Sequence, residues 1–145
     1  MYDDILIPTD GSGATETVIE HAADLARRRD ASVHVLHVID DRAFLTLSDD
    51  RIEEVTEQLR TEGERAVGDA AERLEADGIE VATTIRKGDP ADEIVAAAEE
   101  HGVDLVVMGT RGPGATENLL GSVAQKVLVT AARRLLTVYI SDDCD

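Results

Sequence analysis

Between Gly109 and Ser122 the chain reads GTRGPGATENLLGS. The stretch follows the apolar run VDLVVMG at Val103–Gly109, places Gly109 and Gly112 three apart, and sets Gly121 where a helical pattern is under way. Alone it fits two descriptions: a strand-to-helix turn that needs unusual backbone angles, or a cradle in which glycines let the backbone approach phosphate groups. The elements around it decide between them.

Upstream the chain alternates between two periods. Ile5 to Ile7 form a short apolar run closed by Pro8 and the turn formers Asp10, Gly11 and Gly13. From Thr15, the residues Val18, Ile19, Ala22, Leu25 and Ala26 share one helical face, and the following arginines suit a helix C-terminus. SVHVLHVID (Ser32–Asp40) reads as a second strand. A long helix follows, with Ile52, Val55, Leu59, Ala66, Val67, Ala70 and Leu74 in register and a bend expected at Gly63 and Gly68. The segment from Asp40 to Asp50 is the one long connection.

IEVATTIRKGD (Ile79–Asp89) alternates as a third strand. PADEIVAAAEEHG (Pro90–Gly102) opens with proline in the first turn and closes with glycine, as a helix does. VDLVVMG is apolar on both faces and so reads as a central fourth strand. Ala115–Ala132 reads as the last helix, and LLTVYI (Leu135–Ile140) as a fifth strand. Strict alternation of strand and helix predicts a doubly wound parallel sheet in a single domain, residues 1–145. Such sheets bind ligands beyond the carboxyl ends of their strands, where the strand order reverses. With strands one and four adjacent there, PTDGS and GTRGPG face each other across one crevice.

Composition narrows the function. The 145 residues include 31 acidic and 14 basic ones, a formal net charge of −17. That surface repels nucleic acid and anionic membranes, and 2% aromatics are too few for a base-stacking platform. Acid excess with only two lysines, Lys87 and Lys126, suggests adaptation to high salt, where self-repulsion is screened. No stretch reaches the length of a membrane span, and MYDDILIP has no signal-like character, which points to a soluble cytoplasmic protein. Cys144, the only cysteine, has acidic neighbours that disfavour a thiolate. His34 and His37 sit three apart on a strand and face opposite sides, against a metal pair. No serine, histidine and acid arrangement suggests nucleophilic catalysis.

Established phosphate motifs are absent. No lysine follows a glycine pair as a P-loop requires, and GSGATE and GPGATE end in glutamate where a dinucleotide fingerprint needs glycine or alanine. The clustered acids and terminal lysine of a receiver domain are missing too.

The segments ILIPTDGS, VLHVID, GDPADEIV, DLVVMGTRG and GSVAQKVL, with Gly109, Gly112, Gly121 and Ser122 in a G-x-x-G…G-[ST] pattern, closely resemble the universal stress protein family over nearly the whole chain. The chain looks like an acidic, haloarchaeal-type single-domain member. The resemblance implies an adenine nucleotide alpha hydrolase-like fold: a five-stranded parallel sheet in the order 3-2-1-4-5 with helices on both faces. It implies binding of ATP or AMP, with or without Mg2+, by a stress-response module without defined catalysis. Carried over by position, Asp10 would bond the ribose, Pro8 and Thr9 would line the adenine pocket, and Val38 would offer its backbone to adenine. Met108, Gly109, Arg111 and Gly112 would surround the ribose and first phosphate, with Gly121, Ser122 and Val123 at the phosphates. It also implies a homodimer paired through the C-terminal strand. Asp10 equally suits a helix cap, and Ser122 equally suits a helix-interior hydroxyl. Eight residues separate Gly112 from Gly121, one fewer than the family's usual spacing, and Glu117 adds negative charge nearby. This leaves a second reading open: a dimeric scaffold of the same family that has lost nucleotide binding.

Overall fold

The computed structural model describes residues 3–9, 15–41, 48–109, 126 and 134–138. Along them run β1 (Asp4–Pro8), α1 (Thr15–Arg29), β2 (Ser32–Asp40), α2 (Asp49–Glu75), β3 (Val81–Gly88), α3 (Pro90–His101), β4 (Leu105–Gly109) and β5 (Arg134–Val138). The strands form one parallel sheet in the order β3-β2-β1-β4-β5. This is the expected doubly wound order, with β4 internal. The last helix, read at 115–132, lies outside the described residues apart from Lys126, which is helical.

The period of two explains the layering, because successive strand residues point to opposite faces. Ile5, Ile7, Val33, Val35, Leu105 and Val107 join Val18, Ile19, Ala22 and Ala26 of α1 and Val67, Ala70 and Leu74 of α2 in one core. Leu6, Leu36 and Val106 face the other way and meet Ile94, Val95, Ala97 and Ala98 of α3. Strands buried on both faces therefore read as continuous apolar runs.

Local signals set the helix ends. Asp89 stands before Pro90 and its side chain accepts from the Asp92 N–H at 3.1 Å. Gly102 closes α3 in the left-handed region at φ 61°. The chain then returns at once to the sheet: the Asp104 carboxylate accepts the N–H groups of Asp3 and Asp4 at 2.9 and 3.1 Å, tying the start of β4 to that of β1. Asp4 itself lies on β1, paired with Ser32.

α2 runs unbroken over 27 residues through Gly63 and Gly68. Each interior glycine costs about 1 kcal/mol relative to alanine, but at Gly63 the missing side chain makes room. A β-carbon there would lie 2.6 Å from Cδ2 of His37.

Candidate functional site

The chain lays down β1, β2 and β3 in one direction, then crosses over by α3 to place β4 on the other side of β1. The strand order reverses between β1 and β4. Their mutual ladder covers Ile5↔Leu105 and Leu6↔Val106. Beyond those pairs each strand keeps its outer neighbour: β1 stays with β2 to Pro8↔Leu36, and β4 stays with β5 to Gly109↔Val138. Pro8, lacking an N–H, has nothing to donate at this point. The β1–β4 ladder thus ends short of the carboxyl ends of the two strands, the position where open α/β sheets take ligands.

Five of the eleven expected binding residues gather at this edge. Pro8 ends β1 and Thr9 follows it, Met108 and Gly109 end β4, and Val38 lies near the end of β2. Val38 and Met108 are half-buried and pack against the α3-side core, as does Leu135 of β5. Pro8 has the same parity along β1 as Leu6 and so lies on that same side. Thr9 is buried, its N–H donating to the Leu36 carbonyl at 2.8 Å. The other six, Asp10, Arg111, Gly112, Gly121, Ser122 and Val123, lie outside the described residues, as does Glu117.

The histidines divide as their spacing predicts. His34 stacks on His101 of α3, whereas His37 lies against Gly63 of α2. His37 Nδ1 stands 3.0 Å from the Thr9 carbonyl oxygen. From its place in the sequence His37 bears only on the metal pair that its spacing from His34 argues against. Its partners, Thr9 and Gly63, lie far along the chain. His37 also borders an open groove along α2, lined by Gln58, Thr61, Glu62, Arg65 and Asp69. Among the described residues no group of three or more histidine, cysteine or acidic side chains is placed to hold a metal.

Charge around α3 is organised by two cations. Arg86 on β3 donates from Nε to Glu93 at 2.8 Å and from Nη2 to Glu100 at 3.0 Å. Donating to Glu100 first and Glu93 second pushes the guanidinium further above its already high ordinary value, and Arg86 in turn holds the Glu100 carboxyl low. The Lys126 ammonium lies 2.9 Å from Asp92 and 3.9 Å from Asp89 at the N-terminus of α3.

The sequence profile of the universal stress protein family matches residues 1–138. A universal stress protein of Methanocaldococcus jannaschii is 38% identical over 140 residues, which cover 95% of this chain and 82% of that one. Among solved structures, a second universal stress protein of that organism aligns with TM-score 0.86 at 34% identity over 96% of both chains. One from Archaeoglobus fulgidus, solved in complex with dAMP, aligns with TM-score 0.66 at 26% identity over 94% of this chain and 97% of its own.

Proposed function

This chain belongs to the universal stress protein family, and from that premise we propose that it binds an adenine nucleotide, ATP or AMP, as a regulatory stress-response module. The observation that carries the reading is the parting of β1 from β4 beyond Leu6 and Val106, with Pro8, Thr9, Met108 and Gly109 at its mouth. The dAMP complex of the A. fulgidus relative supports the ligand class. In this reading Val38, Pro8 and Thr9 serve the adenine, Asp10 the ribose, and Met108, Gly109, Arg111 and Gly112 the ribose and first phosphate. Gly121, Ser122 and Val123 supply a hydroxyl and backbone N–H groups to the outer phosphates. Mg2+ offsets the negative charge of Glu117 when a triphosphate is bound. The module is a cytoplasmic homodimer paired through β5, and no catalytic role is assigned to it.

The spacing between Gly112 and Gly121 favours one rival specifically, a dimeric scaffold without nucleotide. Losing one residue in a phosphate loop redirects every later N–H. Thermal unfolding in high KCl, with and without millimolar Mg–ATP or AMP, separates the two. A ligand at a hundredfold excess over Kd stabilises the native state by about 2.7 kcal/mol. A raised midpoint with ATP upholds the full site, and a rise with AMP alone upholds a site limited to the first phosphate. An unchanged midpoint with both ligands leaves the scaffold.

A further inference from the structure

We propose that His37 is a positioning residue for this site, holding the end of β1 between β2 and the middle of α2; the assignment rests on the nucleotide-binding reading above. The Thr9 residue is tied to β2 at both polar ends. Its N–H donates to the Leu36 carbonyl at 2.8 Å, and its own carbonyl lies 3.0 Å from His37 Nδ1. A carbonyl only accepts, so Nδ1 carries the hydrogen and the ring is held as the Nδ1–H tautomer when neutral. Because a peptide unit is planar, fixing this carbonyl fixes the plane in which the chain leaves β1.

The ring is seated from its other side by α2. A β-carbon on Gly63 would lie 2.6 Å from Cδ2 of His37 and 3.2 Å from both Cγ and Nε2. Gly63 is buried in the middle of that helix, so any larger residue there must displace the imidazole. One ring thereby couples three elements at the edge where the β1–β4 ladder ends. In sequence it stands beside Val38, and its carbonyl partner Thr9 stands beside Asp10. A shift of α2 against the sheet is felt first at the Thr9 peptide.

The test is a set of variants read by AMP calorimetry, by 15N spectra of the histidine rings, and by amide exchange at Thr9. His37→Leu removes the donor. His37→Asn keeps a donor near the Nδ1 position. Gly63→Ala leaves the histidine intact and pushes it off the carbonyl. The expected results are an Nδ1–H signature in the unaltered protein and AMP binding weakened about tenfold in His37→Leu and in Gly63→Ala. His37→Asn should stay within about threefold, and adding Gly63→Ala to it should change affinity by less than about twofold, because the ring that clashed is gone. Lowered unfolding midpoints with unchanged AMP affinity in the folded variants would make His37 a packing residue and overturn the proposal. Should the unaltered protein bind neither AMP nor ATP, the nucleotide reading falls, and exchange decides the positioning. Faster exchange at Thr9 in Gly63→Ala at equal global stability upholds it, and unaltered exchange overturns it.

Discussion

The imidazoles of His34 and His101 stack with centroids 4.5 Å apart and planes inclined by 22°, joining β2 to the last residue of α3. Nδ1 of His34 is buried and meets no hydrogen-bond partner among the described residues. Its Nε2 lies 3.9 Å from a carboxylate oxygen of Asp4. Burial first, and the charge of His101 second, push the His34 pKa below its ordinary 6.5, while Asp4 pulls it the other way.

The sign of the pH dependence follows. Below pH 6.5 the unfolded chain takes up a proton that the folded ring resists. The stability associated with neutral His34 is therefore fully present above that value and is lost as the pH falls through the lower folded-state value. Urea unfolding between about pH 8 and pH 5 measures this. The unaltered protein should lose more stability across the interval than His34→Gln does, and equal slopes for the two would remove His34 as the source.

The two glycines of α2 should answer alanine with opposite signs. Gly68 is exposed and a β-carbon there meets nothing within 4 Å. Gly68→Ala then gains helix propensity and sheds unfolded-state entropy, raising stability by about 0.5–1 kcal/mol. Gly63→Ala makes the same local gain but drives a carbon into the His37 ring, an overpacking cost of about 1–3 kcal/mol. Chemical denaturation of the two single variants should place one above and one below the unaltered protein. Two increases would mean that the ring yields freely.

That contrast marks what was legible in the sequence. Elements bounded by strong local signals were readable to the residue: Ser32–Asp40 as a strand, and a helix opened by Pro90 and closed by Gly102. The reason for Gly63 is not legible in local propensity, because it is a strand residue on another element, His37. The Asp104 carboxylate that receives the N–H groups of Asp3 and Asp4 is equally invisible to periodicity. Strand order is a non-local property too, and family resemblance supplied it where period could not. At the site, the family resemblance singled out Pro8, Thr9, Val38, Met108 and Gly109, which the fold gathers at one edge. It gave no sign of His37, whose part depends on where α2 packs.

Net charge sets a salt dependence. At −17 the folded chain repels itself, and raising the salt to about 1 M shortens the screening length to about 3 Å. The thermal midpoint should rise steadily from low salt to about 2 M KCl. The half-exposed pairing of Arg86 with Glu100 should weaken over the same range. Arg86→Met should accordingly cost more at low salt than at high salt, by calorimetry of both proteins at each concentration. A midpoint indifferent to KCl would discount self-repulsion as a term in this protein's stability.

The edge of the sheet bears on assembly. β5 is the terminal strand beside β4, and along it Leu135 packs inward against the α3-side core while Leu136 is 38% exposed. Leu136 is the one large apolar side chain so exposed among the described residues. An apolar strand at an open edge invites pairing with another chain, which fits the dimer through β5 that the family resemblance implies. Leu136→Lys places a charge on that edge, at a side chain still partly covered within the single chain. Light scattering should give twice the 15.6 kDa chain mass for the unaltered protein and the single-chain mass for the variant, with the far-ultraviolet spectrum unchanged. A variant that stays dimeric would move the interface away from β5. An unaltered protein that is monomeric at tens of micromolar would end the homodimer reading.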